Sequence, residues 1–207
     1  MAKDEQPQIY LVSPPHLELS RFATDLAEIL DACPIACFRL ALASTDEHEI
    51  QQAADQLREI CHARDVAIVI DEHYRLVERL GLDGCHLRDG ARNVRDVRKE
   101  LGSDAIVGAE CGASRHVGMS AADSGADYVW FGPVAASALG TDEIAERALF
   151  EWWSEMIEVP VVASGGLTNA LVGSLSEVTD FFGIGTEIWT SEEPIAALNA
   201  LMNTKSN

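Results

Sequence analysis

At 207 residues, 47% of them hydrophobic, the chain has the size and apolar content of one soluble globular domain, and no apolar run approaches the roughly 20 residues of a membrane span. Its formal net charge of −19 sets up a field that repels nucleic acid and anionic membranes, and that would repel a phosphorylated substrate too unless local cations or dipoles reverse it. Five cysteines, odd in number and without CxxC spacing, argue against a disulfide framework or a zinc ribbon. With the polar MAKDEQPQ start, which lacks a secretory apolar segment, they predict a cytoplasmic protein with reduced, buried thiols.

Short β-branched runs alternate with stretches of helical periodicity along the whole chain. Strands are predicted at Ile9–Ser13, Ile35–Ala41, Val66–Asp71, Gly84–Leu87, Ala105–Glu110, Tyr128–Gly132, Val159–Ala163 and Asp180–Gly185. Helical patterns between and after them include Leu17–Ala32, Glu47–Ala63, Val94–Leu101 and Glu187–Met202. In the second of these, Ile50, Ala53, Ala54, Leu57 and Ile60 share one face. The strands read apolar on both faces, as parallel strands covered by helices do. Eight strand–helix units therefore predict an α/β fold, a single (β/α)8 TIM barrel spanning residues 1–207, with a core of about 8–201 and a frayed tail at Asn203–Asn207. A doubly wound open sheet also alternates in this way, but the first loop reads Ser13-Pro14-Pro15-His16 and carries no GxGxxG.

Two loops stand out for function. Gly132–Glu143 is the longest non-periodic stretch, either a binding loop or a tolerated insertion. In VVASGGL, Val161–Leu167, a β-branched run ends in two glycines before Thr168-Asn169 opens a helical pattern. Glycines leave backbone N–H groups bare to an anion, and the loop after strand seven of such a barrel frequently builds a phosphate site.

Six segments occur in order: QIYLVS, LGLDGCHL, IVGAE, GADYVWFGPV (Gly125–Val134), PVVASGGL (Pro160–Leu167) and FFGIGTEIW. Together they resemble the thiamine phosphate synthase and thiazole tautomerase family of TIM barrels, from about Gln8 to Leu201. The resemblance implies a transferase of thiamine biosynthesis. A hydroxymethylpyrimidine diphosphate loses pyrophosphate, and the nitrogen of a thiazole phosphate captures the carbocation. It also implies Mg²⁺ and cations around the pyrophosphate, and hydrogen-bond donors around the thiazole phosphate.

The resemblance carries Arg39 onto the family's pyrophosphate-gripping Arg, but Ala41 stands where a Lys is expected. Asp71 and Glu72 take the place of Asn-Asp after strand three, a plausible hard-metal pair. After strand four, Ala91 occupies the second metal-ligand position, which Asp89 fills only if the loop re-routes. Glu110 replaces a Ser after strand five, and Ser137–Gly140 replace a TxTK run, removing a second Lys. The missing contacts, each worth on the order of 1.5–3 kcal/mol, weigh against ordinary synthase turnover. At the other end Gly165, Gly166, Gly185 and Thr186 remain to hold a monophosphate, although Glu187 could compete for the same donors.

Candidate catalytic residues are thus Arg39, Asp71, Glu72 and Glu110, with Glu72 and Asp89 as Mg²⁺ ligands; the same acids could instead be neutralised by Arg39 and Arg88 in a structural network. His86 and Trp130 read as packing residues, Cys111 as inert, and His73 as a solvated surface residue. Trp152 and Trp153 cannot share one helix face, so one of them could mark a homodimer contact. Three functions stay open: the synthase, acting on small phosphorylated heterocycles; a non-catalytic paralogue that kept the phosphate cup; and a tautomerase or isomerase with Glu110 or His116 as base. Fold analogy does not choose among them.

Overall fold

The computed structural model describes residues 6–136 and 143–203. The expected tail lies outside these residues from position 204 onward, as do Ser137–Gly140. Eight parallel strands close into a barrel in sequence order. They are β1 (Gln8–Val12), β2 (Ile35–Leu40), β3 (Ala67–Asp71), β4 (Gly84–Leu87), β5 (Ile106–Gly112), β6 (Tyr128–Phe131), β7 (Val161–Ser164) and β8 (Phe181–Ile184). The expected (β/α)8 barrel is the observed fold.

Around it run α1 (Leu19–Ala32), α2 (Glu47–His62), α3 (Leu76–Leu80), α4 (Val94–Leu101), α5 (Arg115–Asp123), α6 (Arg147–Met156), α7 (Asn169–Leu175), α8 (Thr186–Trp189) and α9 (Pro194–Met202). Side chains set the helix starts. Glu18 accepts the N–H groups of Ser20 and Arg21 at 3.2 and 2.9 Å, so α1 begins two residues later than its apolar pattern. Thr168 accepts from Leu171 N–H at 3.3 Å and opens α7 where expected. The predicted helix Glu187–Met202 is in fact two, because Pro194 cannot continue a helix begun at Thr186 and instead starts α9. Strand seven begins at Val161, two residues later than predicted.

Three alternate strands, β3, β5 and β7, are each anchored by an aspartate at the entry of the next. Asp83, Asp127 and Asp180 accept the N–H groups of Ile68, Val107 and Val161 at 2.7, 2.7 and 2.8 Å. The core has two parts. A large apolar layer lies between barrel and helices, with Phe38, Leu57, Phe131 and Trp153 buried in it. A small cluster fills the barrel itself: Tyr10, Cys37, Val69, Tyr128, Trp130 and Val162. Trp130 fits because β8 has Gly183 opposite, where an added Cβ would lie 2.3 Å from the indole. Among the described residues, no helix is long and apolar enough to cross a membrane.

Candidate active site

Strand periodicity decides what reaches the barrel mouth, since alternate side chains point inward and the last ones stand at the C-terminal rim. On β2 this places Arg39 inside, 4.5 Å above the Trp130 ring and with Nε 2.9 Å from Asp71 Oδ1 at the end of β3. Both side chains are about nine-tenths buried, at 10% and 11% exposure. The two charges are close but not aligned as a hydrogen bond: Nε and Nη1 of Arg39 and Oδ1 of Asp71 lack a partner of good geometry. Burial pushes the Asp71 carboxyl above its ordinary value, against the pull of Arg39.

Beside this pair lies a row of polar groups that crosses the barrel. Glu110 Oε2, at the rim of β5, is 3.3 Å from His86 Nε2. His86 Nδ1 is 2.9 Å from the Tyr128 hydroxyl, which lies 2.6 Å from that of Tyr10. His86 is fully buried, and burial holds its pKa well below the ordinary imidazole value. Burial also pushes the Glu110 carboxyl up to about 6, with Asp71 adding to the shift and Arg39 and Arg88 opposing it.

The β7–β8 side carries no such side-chain charges of its own strands. Gly165 and Gly166 adopt left-handed conformations, with φ of +82° and +77°. An added Cβ would meet Pro133 or Ala135 at 2.9 Å, so both positions require glycine. The loop after β7 and the loop after β8 thereby turn three backbone N–H groups toward one point. The side chain of Glu187 occupies that point. Gly166 and Leu167 donate to Oε1 at 3.2 and 3.3 Å, and Gly185 donates to Oε2 at 3.0 Å. A cavity of about 220 Å³ joins the two sides, bounded by Arg39, Trp130, Ser164, Gly165, Gly185 and Glu187.

The other candidates fall at varied places. Glu72 is exposed just beyond β3 and takes a left-handed φ of +56°; its N–H donates to the His86 carbonyl at 2.9 Å. Asp89 is exposed in the loop after β4 and accepts from the Asn93 amide. No three His, Cys, Asp or Glu side chains come close enough to hold a metal among the described residues. Thr186 is exposed, Ala41 donates its N–H to Ser13 Oγ at 2.9 Å, and His73 and His116 face solvent. All five thiols are free and buried, and burial pushes that of Cys111 up to about 12, which leaves it inert. Trp153 is buried, whereas half-buried Trp152 lies under the Arg115 guanidinium, 4.8 Å away. Sequence reasoning missed the Leu167 amide, Tyr10 and Tyr128.

The family model of thiamine monophosphate synthase matches residues 9–180. A thiamine-phosphate synthase of Rhodospirillum centenum is 38% identical over 200 residues, covering 95% of this chain and 96% of the relative. One from Erythrobacter litoralis is 37% identical over 203 residues, covering 95% of each. Among solved structures, thiamine phosphate pyrophosphorylase from Pyrococcus furiosus has the same fold, with a TM-score of 0.82 at 18% identity over 95% of this chain and 94% of that one. The match to the family model spans most of the chain and both relatives align nearly end to end, so the chain belongs to the thiamine monophosphate synthase family.

Proposed function

We propose that this chain joins hydroxymethylpyrimidine diphosphate to a thiazole phosphate, releasing pyrophosphate, as one barrel domain working in the cytoplasm. The observation that carries the reading is Arg39: a buried cation with unaligned donors, bounding the same cavity as the backbone cup. Its relatives supply the chemistry by name, since both are thiamine-phosphate synthases.

In this reading Arg39 stabilises the negative charge that grows on the departing pyrophosphate, and Asp71 fixes the guanidinium. Trp130 walls the cavity and helps exclude water from the carbocation. Glu110, with a protonation midpoint of about 6, accepts a hydrogen bond from the aminopyrimidine edge. Gly165, Gly166, Gly185 and Thr186 hold the thiazole phosphate. Mg²⁺ needs only one or two carboxylates when phosphates complete its shell, and Glu72 and Asp89, exposed beyond β3 and β4, are the carboxylates that would hold it. When bound, it would neutralise charge on the diphosphate.

Ala41 brings no charge where the family resemblance expects a Lys, and turnover slower than that of a fully equipped synthase is expected. Incubating the purified protein with both precursors and Mg²⁺ should yield thiamine phosphate; no product at high enzyme concentration overturns the reading. A tautomerase or isomerase is the second reading, favoured by the proton affinity of Glu110. A non-catalytic phosphate-ester binder is a third reading, favoured by a glycine cup that persists while Ala41 brings no cation to the other side. We also propose that two copies pair across α5 and α6, supported by half-buried Trp152, Met119 at 41% exposure and Met156 at 63%; the purified protein then sediments at twice the chain mass.

A further inference from the structure

We propose that Glu187 is a built-in occupant of the phosphate cup, which a phosphate ester must displace, so that this one residue sets how strongly the site prefers a phosphate ester to the corresponding alcohol. The inference rests on the proposed use of the cup for a thiazole phosphate.

Three backbone donors from two separate loops converge on one carboxylate. Gly166 and Leu167 lie some twenty positions before Glu187, and both share Oε1, while Gly185 takes Oε2. A carboxylate and a phosphate present similar oxygens to such donors, and three N–H groups do not serve both at once. The two anions would also repel each other at contact distance. Glu187 is only half-buried, so its side chain can rotate toward solvent without exposing apolar core.

A second, independent observation shows that the cavity is prepared for an anion from outside. Arg39 enters it from β2, nine-tenths buried, with Nη1 lacking an acceptor. Glu187 satisfies the amides and leaves that guanidinium donor free. The Glu187 side chain thus stands in for an anion on the amides, while Arg39 lines the same cavity. Displacement returns Glu187 to water and puts the phosphate in its place, in the cavity that Arg39 lines.

Ligand titration of the full chain tests this, with inorganic phosphate, hydroxyethylthiazole phosphate and unphosphorylated hydroxyethylthiazole as probes. Glu187→Ala is expected to bind both phosphates at least about tenfold more tightly than the wild type, while affinity for the alcohol changes less than about twofold. Glu187→Gln, which keeps the reach but loses the charge, should fall between. It decides the matter if the Ala variant does not fold: at least about threefold tighter phosphate binding supports the inference, and unchanged binding overturns it. Equal or weaker phosphate binding by folded variants overturns the role of Glu187 but leaves the proposed function standing, provided the wild type binds thiazole phosphate. If no form binds either phosphate, the reading of the cup falls and the inference falls with it.

Discussion

On the β2–β5 side of the mouth, charge is carried by side chains at strand ends: Arg39, Asp71 and Glu110, each shifted by burial or by its neighbours. On the β7–β8 side it is carried by backbone N–H groups that glycine geometry turns outward, answered by a single carboxylate. The first side is specified by chemistry and is sensitive to charge and pH. The second is specified by conformation and is sensitive to any Cβ. A family member can therefore lose cations on one side and keep the other unchanged, because the two sides depend on different properties of the chain.

Three substitutions probe that contrast. Arg39→Ala leaves Asp71 buried without its counter-charge, and breaking such a pair costs about 3 kcal/mol. Urea unfolding should show this loss, and the condensation rate should fall by roughly a hundredfold; a loss below about 1 kcal/mol would mean that Asp71 is neutral in the folded protein. Gly166→Ala imposes a left-handed conformation on a residue with a Cβ and drives that atom to 2.9 Å from Ala135. Thermal melting should report a destabilisation of about 1–2 kcal/mol, with no change in the pH profile.

Glu110→Gln should have the smallest effect and the most distinctive pH dependence. Its folded pKa, about 6, lies above the ordinary value of 4.5. The group therefore contributes stability that is fully present below pH 4.5 and lost as pH rises through 6. The full shift corresponds to about 2 kcal/mol, and partial solvation reduces it to about 1. Relative to the wild type, Glu110→Gln should gain that amount between pH 4.5 and 7.5. His86, depressed below its ordinary pKa, destabilises both proteins in acid, and the difference largely cancels it. Parallel profiles would show that Glu110 is more solvated than its place at the rim indicates.

The barrel was legible because each strand is a short apolar run between helical patterns, a signal that depends on neighbours in sequence. Arg39, Asp71 and Glu110 were legible through the family resemblance, which set them against functional positions at or near the strand ends. The five-residue α3 was not, being too short for periodicity to register. Pro194 was visible yet its effect was overridden by the apolar pattern around it. The contacts of Tyr10 with Tyr128 and of Tyr128 with His86 bridge 118 and 42 positions and exist only once the barrel closes. The Leu167 amide left no trace, since a backbone donor belongs to every residue except proline.

The row from Glu110 to Tyr10 has one open end. Beyond Tyr10 the barrel is plugged by Cys37, Val69 and Val162, so the row leads nowhere. With Glu110 ionised, His86 Nε2–H points to the carboxylate and Tyr128 donates to Nδ1. With Glu110 protonated, the two hydroxyl hydrogens can turn, but the imidazole reverses only by losing its proton at Nε2 and gaining one at Nδ1. The row thus offers a proton no way through, a cul-de-sac rather than a conduit. A proton accepted at Glu110 departs by the mouth through which it came, in the company of product or solvent, and the floor of the barrel takes no part in its traffic.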